Sequence, residues 1–215
     1  MVDKYKTSSF GSEFTLTNDE GVTTNLKLNL PGKHNVLNAT AASVLAIEEG
    51  ISLINVKSAL EKFSGISRRM QFLGKLDQTV VIDDYGHHPT EIKNTILTLR
   101  ESFPESEITM VFQPHRFTRT KDLYKEFVEV LKSIERLILL EIYSAGEESI
   151  EGVSSSALLE SIKNTGLEDV FLAKSNAQAY ELIENIISKE KGVLLIQGAG
   201  NISEISDKLI KKIKL

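Results

Sequence analysis

Cysteine is absent from the 215 residues, so the chain can form neither a disulfide nor a thiolate metal site, which fits a cytosolic protein. Positive charge is also scarce: 25 lysines and arginines face 30 aspartates and glutamates, for a net charge of −5. No basic field therefore indicates nucleic acid as a partner. No apolar run is long enough to span a membrane, and the N-terminal MVDKYKTSSFGSEF lacks the apolar core of a signal peptide. We therefore expect a cytoplasmic location and no membrane partner.

The first 65 residues predict a partial α+β segment. Apolar residues alternate on both sides of the turn sequence Asn18-Asp19-Glu20-Gly21, which predicts a β-hairpin. The alternating residues are Phe10, Phe14, Leu16, Leu26, Leu28 and Leu30. An alanine-rich helix, KHNVLNATAASVLAIE, follows and stops at Gly50, and a second runs from about Asn55 to Phe63. A hairpin and two helices cannot enclose a core, so residues 1–66 are predicted to be the end of a larger domain and to favour self-association.

From Arg69 onward, short β-rich runs alternate with amphipathic stretches. The predicted strands are Thr79–Asp83, Ile108–Phe112, Leu137–Ile142, Val170–Leu172 and Val193–Ile196. The predicted helices are Thr90–Phe103, Thr118–Ile134, Ser155–Lys163, Ala177–Ser188 and Ile202–Ile213. This alternation predicts an α/β domain over residues 67–215, with a Rossmann-like, doubly wound and mostly parallel sheet covered by helices on both faces.

Unusual polar residues follow the predicted strands, where loops at the carboxyl ends of parallel strands bind ligands. The motif DDYGHHPTE, residues 83–91, follows the first of them. A helix start accounts for Pro89-Thr90-Glu91. It does not account for Tyr85, His87 and His88 in one short loop, and histidines at strand ends are good acid–base, substrate-binding or metal-binding candidates.

The motif QPHRFTRT, residues 113–120, follows the second strand. Arg116 and Arg119 beside a helix N-terminus predict an anion site, and the alternative is a solvated pair of surface charges. The segment QGAGNIS has Ser203 where a dinucleotide fingerprint needs a third glycine, so it predicts a close-packed turn. No GxxxxGK[ST] phosphate-binding loop occurs in the sequence.

Two further segments are ambiguous on residue chemistry alone. GKHNVLN, residues 32–38, places polar side chains at a helix start, where capping by Asn35 is the simpler interpretation. SGISRRMQ, residues 64–71, holds two arginines at the predicted domain junction, where a charged linker and a functional role are equally well supported.

Together these segments resemble the Mur ligases, ATP-dependent amide ligases of peptidoglycan synthesis. GKHNVLNATAA resembles the end of that family's central ATPase domain, SGISRRMQFLG its hinge, and DDYGHHPTE, QPHRFTRT and QGAGN its C-terminal domain. The resemblance implies that residues 1–66 are the remnant of the ATP-binding domain and residues 67–215 the C-terminal ligase domain. YGHHPTE with PHRFTRT is most similar to the branch that adds L-alanine to UDP-N-acetylmuramic acid.

The resemblance also implies roles for individual residues. Those implied to contact ATP are His34, Asn35 and Asn38 at the adenine, Arg69 at the phosphates and Asp84 at the ribose. Those implied to contact L-alanine or the muramyl substrate are Tyr85, His87, His88, Arg116 and Arg119. In the implied reaction, ATP phosphorylates the lactyl carboxylate of UDP-N-acetylmuramate, with Mg²⁺ neutralising the transferred charge, and the amine of L-alanine then attacks the acyl phosphate.

The sequence departs from the family because the sugar-binding domain, the phosphate loop and the magnesium ligands of the central domain are not in it. We therefore expect that this chain alone does not ligate.

One rival function is a metal-dependent hydrolase that uses Asp83, Asp84, His87, His88 and His115. Against it, adjacent histidines rarely point at one ion, and Arg116 would repel the metal. A second rival is a binding module for a nucleotide or an amino acid without catalysis.

Overall fold

The structure is a computed structural model that describes residues 2–17, 21–187 and 191–214. The chain folds as two compact units, Met1–Ser67 with Asn94–Pro104, and Arg68–Lys93 with Glu105–Leu215. The assignment of residues 1–66 and 67–215 to two domains of a ligase stays a prediction. Among the described residues, no helix has the length and apolar character needed to cross a membrane.

The first unit contains an antiparallel sheet of three strands in the order β1-β2-β3. The strands are β1 (Val2–Ser8), β2 (Gly11–Thr17) and β3 (Thr23–Leu28). The predicted hairpin corresponds to β2 and β3, and its turn residues 18–20 lie outside the described residues. Strand β1 was not predicted, because its sequence VDKYKTS has no alternating apolar residues.

Two helices follow, α1 (Lys33–Glu48) and α2 (Leu53–Lys62). Val36 and Ala39 of α1 pack on the inward-facing side chains of the sheet, which are Phe14, Leu16, Leu26 and Leu28. Other apolar residues of α1, including Leu37, Val44 and Leu45, are exposed. Apolar residues on several sides are typical of a helix that other surfaces cover on more than one side.

The second unit is built on a six-stranded sheet in the order β4-β5-β9-β6-β7-β8. Its strands are β4 (Gln71–Leu76), β5 (Thr79–Asp84), β6 (Glu107–Phe112), β7 (Arg136–Leu140), β8 (Val170–Ala173) and β9 (Gly192–Gln197). Strand β4 pairs antiparallel with β5, and all other neighbours are parallel. The prediction of an α/β fold with a mostly parallel sheet is confirmed.

Helices connect these strands as the alternation predicts. They are α3 (Pro89–Ser102), α4 (Phe117–Asp122), α5 (Tyr124–Leu131), α6 (Ser155–Lys163), α7 (Asn176–Ile187) and α8 (Ser203–Ile213). The helix predicted over Thr118–Ile134 is instead two helices, because Leu123 leaves the helical region with φ −111° and ψ 25°. The predicted end of the helix Ala177–Ser188 at Ser188 lies outside the described residues.

Strand order fixes where the loops meet. Strand β9 lies between β5 and β6 and pairs in parallel with both. The strands β5 and β6 are therefore not adjacent. Their motif loops begin on either side of the end of β9. Such a reversal of strand order is where open α/β sheets bind ligands.

Candidate functional site

Backbone hydrogen bonds tie together the loops at the carboxyl edge of the large sheet. Gly198 N–H donates to the carbonyl of Asp84 at 3.1 Å, and Gln113 N–H donates to that of Gln197 at 3.1 Å. Beyond the ends of β6 and β7, His115 and Tyr143 form an isolated parallel bridge. The four loops after β5, β6, β7 and β9 therefore form one platform.

A buried ion pair anchors the start of the first motif. Nε of Arg68 lies 3.3 Å from Oδ2 of Asp83, and Nη2 of Arg68 donates to the carbonyl of Gly198 at 2.6 Å. Burial raises the pKa of the Asp83 carboxyl, while the Arg68 charge opposes that rise. Arg68, for which the resemblance implied no role, makes these contacts from a left-handed backbone with φ 59°. The contact of Arg69 with the ATP phosphates stays a prediction.

Asp84 is the centre of a buried hydrogen-bond network. Its Oδ2 accepts from Met70 N–H at 2.9 Å, and its Oδ1 accepts from Gly86 N–H and from Nε2 of Gln197, both at 2.8 Å. Its neighbour Gly86 cannot carry a side chain, since a Cβ there would lie 2.6 Å from both Oδ1 of Asp84 and Nε2 of Gln197. These contacts give Asp84 a structural role, and its contact with a ribose stays a prediction.

Tyr85 is exposed, and two guanidinium groups lie near its ring. The Cζ atoms of Arg68 and Arg69 are 5.2 and 5.4 Å from its ring centroid, within the range of cation–π attraction. Nη1 of Arg69 also pairs with Oε1 of Glu91 at 3.3 Å. The ring of His87 meets Tyr85 edge-on, with centroids 5.6 Å apart. Tyr85 therefore joins the arginine pair to the histidine of the same loop.

Glu91 and His88 together cap helix α3. One oxygen of Glu91 accepts from the N–H groups of His87 and His88 at 3.0 and 3.1 Å, as in a capping box. Nδ1 of His88 accepts from Thr90 N–H at 3.2 Å. Partial burial pushes the pKa of Glu91 upward, but the two N–H donors, the charge of His87 and the hydrogen bond from Arg69 together lower it. His88 is thus accounted for as a helix cap, and its substrate contact stays a prediction.

Arg119 is directed into its own loop. Its Nη1 donates to the carbonyl of His115 at 3.0 Å and lies 3.3 Å from Nδ1 of the same residue. Arg116, by contrast, is half-exposed, with φ 76° at the start of α4, and its N–H donates to the carbonyl of Tyr143 at 2.8 Å. The two arginines predicted to act together therefore face different surroundings.

Glu147 occupies the anion position predicted at the start of α4. Its carboxylate accepts from the N–H and hydroxyl of Thr118 at 3.0 and 2.7 Å, and lies 3.6 Å from Nη1 of Arg116. The Thr118 donors lower the pKa of Glu147, and the Arg116 charge adds to that effect. Sequence reasoning did not single out Glu147. The signal available was YSAGEES after a strand, whose Ala145 and Gly146 form a left-handed turn with φ 51° and 87°.

Aromatic rings continue from the first motif loop into the second. The ring centroids of His87 and His115 are 5.5 Å apart, and His115 stacks on Tyr143 at 5.5 Å with an interplanar angle of 22°. Burial lowers the pKa of His115, and the neighbouring charges of His87, Arg119 and Arg116 lower it further. The site therefore combines imidazole rings with guanidinium groups, which suits a ligand carrying a carboxylate and an amine.

The donor set of this edge does not fit a metal ion. In the described part of the chain, no three histidine, aspartate or glutamate side chains are grouped to hold one. Of the five proposed ligands, Asp83 is paired with Arg68, Asp84 accepts three N–H donors, and His88 accepts from Thr90. The metal-dependent hydrolase thus loses most of the ligands on which it depends.

The remaining predicted residues lie at the start of α1 in the first unit. Nδ2 of Asn35 donates to the carbonyl of Pro31 at 2.8 Å, which is a local contact of the helix start. His34 is half-buried and Asn38 is exposed. Of the residues predicted to contact ATP, these three belong to the first unit, whereas Arg69 and Asp84 belong to the second.

Comparison with known proteins gives a family and several similar folds. The family model for the Mur ligase glutamate ligase domain matches residues 68–200. UDP-N-acetylmuramate-alanine ligase MurC from Thermotoga maritima is 28% identical, with a TM-score of 0.80 over 99% of this chain and 45% of that one.

Two further solved structures share the fold at lower identity. MurF from Acinetobacter baumannii is 19% identical, with a TM-score of 0.74 over 98% of this chain and 44% of that one. Folylpolyglutamate synthase from Thermotoga maritima is 17% identical, with a TM-score of 0.69 over 100% of this chain and 48% of that one. The chain therefore spans less than half the length of each of these three structures.

Proposed function

The chain belongs to the Mur ligase family, whose members are ATP-dependent amide ligases, and from that premise we propose that its second unit holds the amino acid in an amide-forming reaction. We propose further that the amino acid is L-alanine and that it is joined to UDP-N-acetylmuramate. One observation carries the proposal: the loops after β5 and β6 gather His87, His115 and Arg116 at a single sheet edge. The 28% identity to an alanine-adding ligase supports the choice of L-alanine.

The geometry suggests how each end of L-alanine is held. Arg116 is half-exposed, and its Nη1 lies 3.6 Å from Glu147, beyond hydrogen-bond distance, so guanidinium N–H groups remain to bind the carboxylate of the amino acid. Nδ1 of His87 lies 3.1 Å from the carbonyl oxygen of Tyr85, which can only accept. In the neutral ring that nitrogen carries the proton, leaving Nε2 to accept from the amine. Withdrawing a proton from the amine is what makes it a nucleophile.

ATP and Mg²⁺ are the cofactors implied by the family. Arg69, exposed beside Tyr85, suits a phosphate group of ATP. We propose that the other residues in contact with ATP are Asp84, His34, Asn35 and Asn38. When bound, ATP supplies the phosphoryl group that activates the lactyl carboxylate as an acyl phosphate. The described residues do not offer a magnesium site, so we assign none of them to Mg²⁺.

Two further proposals concern the chain as a whole. The sequence contains no phosphate-binding loop, so we propose that the chain by itself binds L-alanine without turning over. We also propose a cytoplasmic location, and self-association through the apolar residues that α1 exposes.

Calorimetric titration of the chain with L-alanine tests the proposed function. We expect saturable binding that is weaker for D-alanine, and a loss of about tenfold or more in Arg116→Gln, since charge-assisted hydrogen bonds contribute about 1.5–3 kcal/mol. Arg136→Gln is the matched control, because Arg136 pairs with Asp169 at the other end of β7. The proposal fails if L-alanine does not bind at millimolar concentration, or if Arg116→Gln and Arg136→Gln bind it equally.

A further inference from the structure

Two imidazole rings of the site have Nδ1 partners of opposite hydrogen-bonding type. Nδ1 of His87 faces the carbonyl oxygen of Tyr85, an acceptor, at 3.1 Å. Nδ1 of His115 faces Nη1 of Arg119, a donor, at 3.3 Å. The neutral His87 ring therefore carries its proton on Nδ1 and the neutral His115 ring on Nε2. The pair offers an acceptor Nε2 on one ring and a donor Nε2–H on the other.

We propose that His115 is the positioning residue of this site: as a neutral ring with its proton on Nε2, it holds Arg119 and adjoins His87, and its protonation breaks that arrangement. The part of the inference that concerns L-alanine rests on the proposed function. The part that concerns the tautomer and the contact with Arg119 does not.

Protonation of His115 is disruptive because of what surrounds the ring. It would place an N–H on Nδ1, 3.3 Å from the N–H groups of Arg119, so that two donors and two positive charges would face each other. Arg119 would then keep only its contact with the His115 carbonyl at 3.0 Å. Without its second contact, the guanidinium loses the fixed orientation that a binding site requires.

The groups facing His115 from each element favour its neutral form. His87 approaches from the loop after β5, Arg119 from α4, and Arg116 from the position just before α4. From the loop after β7 come the ring of Tyr143 and the carboxylate of Glu147, which alone of these groups favours a positive ring. That carboxylate is already engaged by Thr118. Burial and the positive neighbours together keep the pKa of His115 below its usual value of about 6.5.

Nitrogen NMR of the histidine rings across a pH titration tests the ligand-free part. We expect the Nε2–H tautomer for His115, with a midpoint below about pH 6.5. Arg119→Met removes the donor and the charge, so it should raise that midpoint and abolish the tautomer preference. Arg136→Met, the same change at a distant arginine, should leave both unchanged. An Nδ1–H tautomer, an unshifted midpoint, or identical behaviour of the two variants would overturn the inference.

Calorimetry with L-alanine at neutral and acidic pH tests the positioning role. His115→Asn keeps an acceptor near the Nδ1 position but cannot be protonated, so it should bind like the wild type at neutral pH and about fivefold or more tightly than the wild type below the His115 midpoint. His115→Phe lacks the acceptor and should bind weakly at both. The ratio of the two affinities at each pH reports the effect of replacing a ring that can be protonated by an amide that cannot.

The two proposals fail in different ways. If the wild type binds no L-alanine at any pH, the proposed function fails. The nitrogen NMR titration still tests the tautomer of His115 and its contact with Arg119. If the wild type binds but the ratio between His115→Asn and wild type is independent of pH, the positioning role of His115 is wrong and the proposed function stands.

Discussion

In the second unit, strands β6, β7 and β9 are buried on both faces, whereas in the first unit helix α1 buries only one side. Most of the described large apolar residues that are exposed belong to the first unit, among them Leu37, Leu45 and Ile54. In the second unit, fewer large apolar residues are exposed among those described, namely Phe72, Tyr85, Tyr143 and Phe171. The first unit presents an apolar face of the kind that binds another surface.

The second unit also contains a hydrogen-bond network of polar side chains. Beneath the motif loops of the second unit, Asp84, Gln197, Gln113 and Asn201 are linked by hydrogen bonds of 2.8–2.9 Å or through the backbone contact between the two glutamines. Asp84, Gln197 and Gln113 are buried, and Asn201 is exposed. A connected network of this kind makes a rigid support for binding side chains. This network indicates that the site residues of the second unit are held in place before any ligand binds.

The largest expected difference between the units is in the cost of a core cavity. Leu194 in β9 and Leu26 in β3 are both fully buried, so Leu194→Ala and Leu26→Ala remove the same atoms. We expect Leu194→Ala to lower the free energy of unfolding by about 3–5 kcal/mol, and Leu26→Ala by nearer 2 kcal/mol, because a small core collapses around a cavity more readily. Urea unfolding followed by circular dichroism measures both. Equal losses of unfolding free energy in the two variants would contradict the proposed difference between the two cores.

The parts that the sequence predicts well are those where burial is strong. Strands β5 and β9 are buried along nearly their whole length, so they read as continuous apolar runs. Strands β1 and β4 were missed, since both lie at sheet edges and their sequences are mixed or polar. A half-solvated strand can be predicted where its apolar residues alternate, as in β2 and β3, and β1 and β4 lack that alternation.

For the site, the sequence predicted the loops but not the contacts within them. Glu147 was missed because its partner Thr118 is 29 residues away, and no local pattern encodes that meeting. Arg68 contacts Asp83 and Gly198 from a left-handed backbone, which residue type does not reveal. Glu91 belonged to the predicted helix start and His88 did not, and only the hydrogen bonds show that His88 also caps the helix.

A smaller effect is expected from the charge that caps α3 beside the site. The lowered pKa of Glu91 means that its carboxylate stabilises the fold above the ordinary glutamate pKa of about 4.3, and that this stabilisation is lost as pH falls through the lower folded value. Glu91→Gln should therefore cost about 1 kcal/mol at neutral pH and close to nothing at about pH 3. Urea unfolding at both pH values measures this.

The comparison for Glu91 is Glu126→Gln, which changes an acidic residue in the first turn of α5. Both glutamates lie near a helix N-terminus, so both interact with the helix dipole, but only Glu91 has the two hydrogen bonds from His87 and His88. A pH-independent cost of Glu91→Gln, or the same cost in Glu126→Gln, would show that the capping contacts contribute little.

The smallest effect on folding is expected where the first unit is most exposed. Leu45 is 64% exposed on α1, so Leu45→Glu should change the free energy of unfolding by no more than about 0.5 kcal/mol. The same change places a charge on the apolar face and should convert self-associated chain to monomer in sedimentation experiments. Phe72→Glu, at an exposed apolar position of the second unit, should leave the association intact. If the wild type stays monomeric at high concentration, or if both variants dissociate it equally, the apolar face of α1 is not the contact surface.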